Sequence, residues 1–409
     1  MQAPARRILH ADADAFFVAV ARLVDPEGAG RSPLLIVGGR PGGRGVVCSA
    51  SYETRAFGVR SAMPISRALR LCPDAMCVPV PSECREKSRE IRAALGQWTP
   101  VVEGASVDEW YLDLTGTERL YHNEPLALTA QRIRESVARA TGLTVTIGGG
   151  PSRYIAKLAA ERAKPRTDRP HATGVLIIEP DRVQEFLNGL RLAEIPGVGP
   201  KAQARLATMG LDTIADILPF ERAELLLRFG EHGGDWLFRK ARGLDERPVT
   251  ARESRKQISH ERTFSQDIAD DAALRARLNG IARLVAADMR SEGLRARTIT
   301  VKLRDADFRT RSAARTLTEP VESDRAIVRV AVALFGKLRS SRRAPARLIG
   351  VALSGFGADS EASQLPLFGD APGPDSVETA RDRDLSRAVD AVRTRFGPGA
   401  ISPADSPKR

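Results

Sequence analysis

Two acidic clusters, each set against an apolar segment with strand character, most constrain how this chain folds. Asp12 and Asp14 follow the segment 7–11, and Asp108 and Glu109 open a second apolar segment well downstream. Burying such carboxylates costs free energy unless a cation neutralises them. Mg²⁺ suits them because hard cations prefer carboxylate and phosphate oxygens, and two ions roughly 3.5–4 Å apart can hold the attacking and leaving oxygens of a phosphoryl transfer. The clusters therefore predict a two-metal site, with N-capping or surface acids as the alternative, most seriously for Asp14.

The pattern of apolar residues around these clusters indicates several domains. Strand and helix patterns alternate along residues 7–178, which predicts an α/β or α+β core, with residues 22–76 inserted after the first strand. Residues 183–245 indicate short helices only, whereas 256–357 mixes two helices with three strands. Beyond residue 357 the composition is typical of a loose linker, and an amphipathic helix is predicted over 377–395.

Positive charge is concentrated in about a quarter of the chain. The 409 residues carry 63 Lys and Arg against 51 Asp and Glu, and residues 251–357 alone carry 22 against 12. Such an excess fits either a solvated surface or a module that neutralises nucleic-acid phosphates.

The absence of a long uncharged apolar run and of a secretory signal pattern predicts a cytoplasmic protein without a membrane partner. The cysteine spacings do not match those of a zinc site.

Both acidic clusters belong to longer motifs that occur in a fixed order. These are Asp12-Ala-Asp-Ala-Phe-Phe17, residues 51–64 (Ser-Tyr-Glu-Thr-Arg-Ala-Phe-Gly-Val-Arg-Ser-Ala-Met-Pro) and residues 106–113 (Ser-Val-Asp-Glu-Trp-Tyr-Leu-Asp). They resemble the polymerase motifs of the Y-family DNA polymerases, most closely the bacterial DinB group, and the match runs from residue 6 to residue 357. The resemblance implies an α+β multidomain, right-hand polymerase with a ferredoxin-like palm, small fingers, a helical thumb with a helix-hairpin-helix and an α/β little finger.

The same resemblance implies where each domain lies. The expected domains are a palm (1–21 and 77–170), fingers (22–76), a thumb with the helix-hairpin-helix (171–245), a linker (246–254), a little finger (255–357) and a flexible tail with a clamp-binding peptide and a short helix (358–409).

Matching positions imply the roles of the catalytic residues. Asp12, Asp108 and Glu109 match the ligands of two Mg²⁺ ions, with the backbone carbonyl of Ala13 as a further ligand, whereas Asp14 matches an acid that is not a principal ligand. The sequence departs from the family at Ala15, Ala21 and Trp110, and Trp110 leaves the packing beside the carboxylates open.

The incoming nucleotide is expected to meet a second group of residues. Phe17 matches the steric gate, whose ring fills the space that a ribose 2′-hydroxyl would need. Tyr52, Arg55 and Lys164 match the side chains that grip the triphosphate, Arg55 as a bidentate donor and Lys164 as a point charge. The small residues that lie over the nascent base pair, here called the roof, are matched by Cys48, Ser61 and Ala62. Because they are small, they pack loosely against the base pair and discriminate poorly against a wrong shape.

Two regions are expected to hold DNA. Residues 194–201 (Glu-Ile-Pro-Gly-Val-Gly-Pro-Lys) carry the helix-hairpin-helix signature, in which Gly197 and Gly199 let backbone N–H groups approach a phosphate near Lys201. A Gly-rich turn between packed helices is the alternative. In the basic little finger the candidates lie on two strands around residues 305–308, and alternation cannot place all of them on one face. They are Arg297, Lys302, Arg304, Arg309, Arg311 and Arg315.

A short peptide in the tail resembles the bacterial sliding-clamp binding motif. Its residues are Gln364, Leu365, Pro366, Leu367 and Phe368, of which Leu367 and Phe368 would enter an apolar pocket. The motif is internal, since the predicted tail helix follows it.

The resemblance, together with the basic segment and the motif order, implies a low-fidelity translesion DNA polymerase that works as a monomer on primer–template DNA and dNTP. Nothing in the sequence resembles a proofreading exonuclease. Two alternatives remain open. A non-catalytic, clamp-bound scaffold for damage tolerance would be expected to have lost the carboxylates, and a generic helix-hairpin-helix nuclease would not need Phe17, Tyr52 or Arg55 at their spacing.

Overall fold

The strand that carries Asp12 is buried along its whole length because other strands pair with both of its edges. The computed structural model describes residues 6–164, 173–251, 255–356, 378–397 and 399–401, and the chain divides into two compact units, residues 1–253 and 254–409. In the first unit the strands are β1 (Ile8–Ala13), β2 (Leu35–Gly38), β3 (Val47–Ala50), β4 (Met76–Val78), β5 (Val102–Gly104), β6 (Glu109–Asp113), β7 (Val145–Gly150) and β8 (Val175–Ile177).

The helices of the first unit are α1 (Phe16–Val24), α2 (Tyr52–Ala56), α3 (Ile65–Leu71), α4 (Cys84–Gly96), α5 (Leu126–Thr141), α6 (Arg153–Ala163), α7 (Val183–Asn188), α8 (Pro200–Ala207) and α9 (Arg222–Ala241).

The central sheet has the strand order β5-β6-β1-β7-β8, with β1 antiparallel to both β6 and β7. Side chains alternate across it. Leu9, Ala11 and Ala13 pack towards α4 and α5 in one apolar core. The other face meets α6, and Gly148 of β7 makes the contact close, because a Cβ atom there would lie 2.0 Å from the backbone nitrogen of Ala160. His10 and Asp12 lie on this second face, since His10 is paired with Gly148.

This sheet extends further along the chain than the expected palm. β8 pairs in parallel with β7, so residues 175–177 continue the sheet although they were assigned to the thumb. The expected linker is also packed up to residue 250: Val249 is buried with Ile8 and Tyr111, and the backbone N–H of Thr250 donates to Glu103 over 2.9 Å. The apolar pattern along residues 7–178 includes the strand at 175–177, and only its assignment to the thumb differs from the structure. The packing of the linker could not be predicted, because residues 246–250 form no periodic pattern.

Residues 35–78 form a small sheet with an apolar core of its own. β2 pairs antiparallel with β3 and parallel with β4, in the order β3-β2-β4. Ile36, Val47, Val59 and Ile65 form the centre of its apolar core. Residues 183–245 are helical as predicted. The helix α9 is longer than the short helices expected there, although it is broken at Gly230.

The second unit is a four-stranded antiparallel sheet covered by two helices. Its elements are β9 (Gln257–Ile268), α10 (Asp271–Ser291), β10 (Ala296–Asp305), β11 (Thr310–Val321), α11 (Asp324–Ser341), β12 (Ala346–Phe356) and α12 (Ala380–Phe396). The strand order is β11-β10-β12-β9. Leu278, Val285 and Phe335 of the helices pack on Ile299 and Val301 of β10, so one face of the sheet is core and the other is open.

Helix α12 lies on α10 and α11 and is therefore packed within the second unit. Arg290 of α10 forms an ion pair with Asp390 at 2.7 Å, and Arg325 of α11 contacts Asp382 at 3.2 Å. Glu378, just before α12, accepts the backbone N–H of Glu322 at 2.9 Å. The tail was expected to be flexible, and this part of it is docked. No helix in the described ranges is long and apolar enough to cross a membrane.

Candidate active site

The register of the central sheet brings the two acidic clusters together. Asp12 near the end of β1 is the direct partner of Glu109 at the start of β6. Asp108 precedes β6, and its carbonyl accepts the backbone N–H of Ala13 at 2.9 Å. Two segments separated by almost a hundred residues therefore place Asp12, Asp108 and Glu109 on adjacent strands at one edge of the sheet.

Each of these carboxylates has its own partner. Lys164, which caps the end of α6, places its Nζ atom 2.7 Å from Oδ2 of Asp12. Lys157 within α6 contacts both carboxylate oxygens of Glu109, at 2.7 and 2.8 Å. Asp108 instead accepts a hydrogen bond from the hydroxyl of Ser106. In this arrangement no three Asp, Glu, His or Cys side chains of the described residues are grouped closely enough to hold a metal ion.

Burial and the lysines shift the protonation of these groups. Burial raises the pKa of Asp12 to about 7, against the opposing effect of Lys164. The adjacent His10 ring and the Lys157 ammonium lower the pKa of Glu109 to about 2. Lys157 makes the closer contact, since Nε2 of His10 is 3.7 Å from the Glu109 carboxylate. The pKa of Lys164 is raised by Asp12 and Glu161 although burial opposes the shift.

His10 is a buried polar side chain beside this site. Its ring packs edge-on against Tyr111, with the centroids 4.6 Å apart, and neither ring nitrogen has a hydrogen-bond partner among the described residues. Burial lowers the pKa of His10, which favours the neutral ring at neutral pH.

Asp14 and Phe17 lie where the strand β1 passes into α1. Both oxygens of Asp14 accept hydrogen bonds from β7-side threonines, 2.7 Å from the hydroxyl of Thr144 and 2.6 Å from that of Thr146. Asp14 is thus held by hydroxyl donors, unlike the lysine-paired acids. Phe17 is half-buried, and its ring packs edge-on against Phe16 with the centroids 5.4 Å apart.

The helix α2 presents Tyr52 and Arg55 in a fixed orientation. Ser51 caps this helix, its hydroxyl oxygen accepting the backbone N–H of Thr54 at 3.3 Å. The Nε atom of Arg55 donates to the carbonyl of Ala50 at 2.9 Å, and the guanidinium lies 5.2 Å from the centre of the Tyr52 ring. Burial and the charge of Asp14 raise the pKa of Tyr52, so its phenol stays neutral.

The expected roof residues also lie together. Ser61 donates its hydroxyl to the carbonyl of Cys48 at 3.0 Å, and both side chains are exposed. Ala62 beside them adopts a positive φ of 67°.

The helix-hairpin-helix signature forms a turn that leads into α8. Gly199 is the N-cap residue of α8 and is exposed, as is Lys201 in the first turn of the helix. Gly197 has a φ of 106°, which disfavours any residue with a Cβ atom. The backbone N–H groups at this helix start are therefore available to an anion.

The structure separates the candidate arginines and lysines of the second unit. Lys302 and Arg304 alternate with buried residues of β10 and lie on the open face, where Lys302 contacts Glu261. Arg311 is the partner of the buried Leu303 and lies on the opposite face, where its guanidinium contacts the fully buried Asp305 at 3.0 Å. Arg297, Arg309 and Arg315 are exposed. Arg311 is thus not brought together with Lys302 and Arg304.

Sequence reasoning singled out Lys164, although for the triphosphate, and missed the other side chains around the carboxylates. Lys157, Glu161 and His10 were not singled out, although Arg153, Lys157 and Glu161 follow each other at intervals of four residues and so share one face of α6. That charged stripe on an otherwise apolar helix is the signal that could have identified them. The proposed clamp-binding residues Gln364, Leu365, Leu367 and Phe368 lie outside the described residues.

Comparisons with known proteins show the family to which the chain belongs. Profiles described as the impB/mucB/samB family, its C-terminal domain and the DNA polymerase-iota thumb domain match residues 11–161, 255–367 and 193–245. The chain is 39% identical over 371 residues to the DNA polymerase IV of Xanthomonas euvesicatoria pv. vesicatoria, covering 90% of this chain and 99% of that protein. It is 38% identical over 395 residues to the DNA polymerase IV of Caulobacter vibrioides, covering 96% and 92%.

Solved structures of similar fold belong to the same class of enzyme. A chimera of the Y-family DNA polymerases Dbh and Dpo4 is 28% identical and covers 86% of this chain and 99% of its own, with a TM-score of 0.74. DinB from Sulfolobus solfataricus is 27% identical and covers 85% and 98%, with a TM-score of 0.59. An insertion ternary complex of Dbh DNA polymerase is 27% identical and covers 86% and 99%, with a TM-score of 0.60.

The fold and these relatives define a DNA-directed DNA polymerase, and they confirm the predicted α+β, multidomain polymerase fold. The chain belongs to the bacterial DinB-type branch of the Y-family of translesion DNA polymerases.

Proposed function

We propose that this polymerase adds dNTP to a primer 3′-hydroxyl by a two-metal mechanism at Asp12, Asp108 and Glu109, without proofreading. The observation that carries the proposal is the pairing of Asp12 with Glu109 across β1 and β6, because it joins the two acidic clusters at one sheet edge. We further propose that the enzyme acts as a monomer with low fidelity, since the small exposed residues Cys48 and Ser61 offer a loose roof to a base pair.

The donor set fits Mg²⁺. Three carboxylates are the hard oxygen ligands that this cation prefers, and the Ala13 carbonyl lies between the two acids of the first cluster. These residues would hold two ions, whose chemistry is to stabilise the charge on the attacking and leaving oxygens. Asp108 has no lysine contact among the described residues, so it is the carboxylate most ready to accept a cation.

The nucleotide is proposed to lie between α2 and the end of α6. The ammonium group of Lys164 would leave Asp12 and form an ion pair with the triphosphate. Arg55 would contribute a planar guanidinium donor beside the neutral phenol of Tyr52. Phe17 would close the site on the ribose side. Two of the similar structures are ternary complexes of Dbh DNA polymerase, which supports DNA and an incoming nucleotide as partners.

DNA is proposed to contact two surfaces. Gly197, Gly199 and Lys201 would bind a phosphate at the start of α8, without reading the base. In the second unit we assign phosphate contacts to Lys302 and Arg304, together with the exposed Arg297, and not to Arg311. The proposed domains keep the expected order, with residues 173–177 moved from the thumb to the palm because β8 belongs to the central sheet.

Primer extension tests the catalytic proposal. The full chain, with Mg²⁺, dNTP and labelled primer–template DNA, is compared with Asp108→Ala/Glu109→Ala and with Glu135→Ala, an exposed acid on α5 that serves as control. We expect extension by the wild type and the control, a loss of at least about a thousandfold in the double variant, and none after chelation of Mg²⁺.

Other results would favour the alternatives. Shortening of the primer by the wild type would indicate a nuclease. DNA binding without extension would indicate a scaffold. Extension that persists in the double variant would contradict the assignment of the metal ligands.

We propose that Gln364, Leu365, Leu367 and Phe368 bind the bacterial sliding clamp. Replacing Gln364, Leu367 and Phe368 with alanine should leave synthesis without clamp unchanged and abolish its stimulation by clamp loaded on the DNA. Replacing Ser360 and Ser363, which precede the motif, with alanine is the control and should preserve stimulation. Stimulation that survives the triple substitution would contradict the peptide assignment.

A further inference from the structure

The two lysines of α6 each neutralise one proposed metal ligand. Lys157 contacts both oxygens of Glu109, and the two side chains are 24% and 27% exposed. Lys164 contacts Asp12, and these side chains are 21% and 9% exposed. Neither pair lies on the open surface, so solvent screens them only in part. The carboxylates are therefore occupied by cations that the chain itself supplies.

The positions of both ammonium groups are set by one helix. Lys157 and Lys164 are seven residues apart on α6 and its C-cap, about 10 Å along the helix axis, which lets each meet a different carboxylate. The helix lies directly on β7, where the missing side chain of Gly148 permits contact with Ala160. Because α6 is packed this closely on the sheet, the shortest way for the lysines to leave the carboxylates is a rotation of their own side chains.

An ammonium and a divalent cation compete for the same carboxylate oxygens. Mg²⁺ binds oxygen at about 2.0–2.1 Å, whereas the Nζ atoms of Lys157 and Lys164 lie 2.7–2.8 Å from the oxygens of Glu109 and Asp12. A cation bound at these oxygens would lie within about 4 Å of an ammonium that stayed in place, and the like charges would repel each other. Binding of a divalent cation is therefore more favourable when the lysines turn away from these oxygens.

We propose that Lys157 and Lys164 are built-in counter-ions of the metal site, which occupy Glu109 and Asp12 until divalent cations and nucleotide displace them. The inference rests on the proposed role of these carboxylates as metal ligands. Lys157 is thereby a positioning residue, which holds Glu109 in place without touching the reacting atoms.

A consequence follows for the order of binding. The triphosphate offers Lys164 a new anionic partner, so the arrival of nucleotide lowers the cost of releasing Asp12. Metal and nucleotide binding then favour each other, because a coupling free energy acts equally in both directions. In the nucleotide-free protein the divalent cation must displace the lysines unaided, and its affinity is reduced.

Titration with Mn²⁺ tests this inference without measuring activity. Free Mn²⁺ is followed by electron paramagnetic resonance in the nucleotide-free full chain, for the wild type, Lys157→Met, Lys157→Gln and Lys157→Arg. Arg139→Met, which removes an exposed cation from α5, controls for net charge. We expect Lys157→Met and Lys157→Gln to bind Mn²⁺ about fivefold more tightly than the wild type, and Lys157→Arg and Arg139→Met to bind it like the wild type.

The origin of the gain is checked by adding Asp108→Ala/Glu109→Ala to Lys157→Met, which should abolish it. An unchanged or weaker affinity in both Lys157→Met and Lys157→Gln would overturn the inference, because a purely structural lysine would not restrain metal binding. A gain that survives the loss of the carboxylates would overturn it as well. If metal-dependent extension requires Asp108 and Glu109 but Lys157→Met binds Mn²⁺ like the wild type, the proposed function stands and only the counter-ion inference fails.

Discussion

At the scale of single residues, the chemistry depends on which side chain each acid meets. Asp14 meets two threonine hydroxyls, whereas Asp12 and Glu109 meet lysines. The sequence predicts the acids because each lies in a recognisable local motif. It does not predict the lysine contacts, since these join residues of β1 and β6 to α6, and the pairing depends on how closely that helix approaches the sheet.

The ring of Phe17 is the proposed barrier to ribonucleotides, and its removal should open the site. Phe17→Ala should raise the efficiency of ribonucleotide insertion relative to deoxynucleotide insertion by at least about a hundredfold, because the ring is proposed to occupy the space for a 2′-hydroxyl. Single-nucleotide insertion kinetics with matched dNTP and NTP measure the ratio. Phe57→Ala, which removes an exposed phenylalanine ring, is the control. An unchanged ratio in Phe17→Ala would assign the barrier to another group.

At the scale of elements, strongly periodic segments were predicted to within a few residues and polar ones were missed. The second of the two helices predicted within 256–357 is α11 (Asp324–Ser341), and its amphipathic face packs on the sheet. The strand β9 was not predicted because most of its side chains are exposed, which removes the alternation that marks a half-buried strand. The docking of α12 could not be predicted from the sequence either, since its contacts to α10 and α11 are polar and span long sequence separations.

The start of α12 provides a test of that docking. Thr379 and Asp382 form a capping box, and Asp382 also contacts Arg325. Asp382→Ala should cost about 1 kcal/mol and accelerate amide hydrogen exchange in α12 about fivefold. Asp384→Ala, an exposed acid two residues further on, should leave exchange unchanged. Equal exchange in both variants would show that the capping box does not hold the helix.

The same contact carries a pH dependence. Although burial opposes ionisation, hydrogen bonds from Thr379 and Arg325 hold the pKa of Asp382 below its usual range. Folding therefore favours the ionised form. The stabilisation is present at neutral pH and is lost as the pH falls below about 4, the ordinary pKa of the group. The protection factors of the α12 amides, which correct for the intrinsic pH dependence of exchange, should fall over this range in the wild type and change less in Asp382→Ala.

At the scale of the whole molecule, the excess positive charge belongs to the second unit, yet composition alone could not say which residues share a face. Alternation correctly predicted that the arginines and lysines of β10 and β11 would be divided between two faces. Only the strand register shows that Arg311 lies towards the helices and is held by Asp305.

The salt dependence of DNA affinity distinguishes the two faces of the sheet in the second unit. Lys302→Ala/Arg304→Ala should reduce the slope of log Kd against log salt for primer–template DNA by about two, because each lost phosphate contact removes about 0.9. Arg275→Ala/Arg277→Ala, on α10 across the sheet, is the charge-matched control and should keep the wild-type slope. Fluorescence anisotropy over a range of KCl concentrations gives the slopes. Equal slopes in the two double variants would place the DNA elsewhere.

The close approach of α6 to β7 restricts which mutations the lineage of this enzyme can accept. Any side chain at position 148 would collide with the backbone of Ala156 and Ala160, so the helix would have to lift away from the sheet. Such a lift would carry Lys157 and Lys164 away from Glu109 and Asp12 together. Substitutions of this one glycine, which has no reactive group of its own, should therefore be purged by selection as strictly as loss of a catalytic carboxylate.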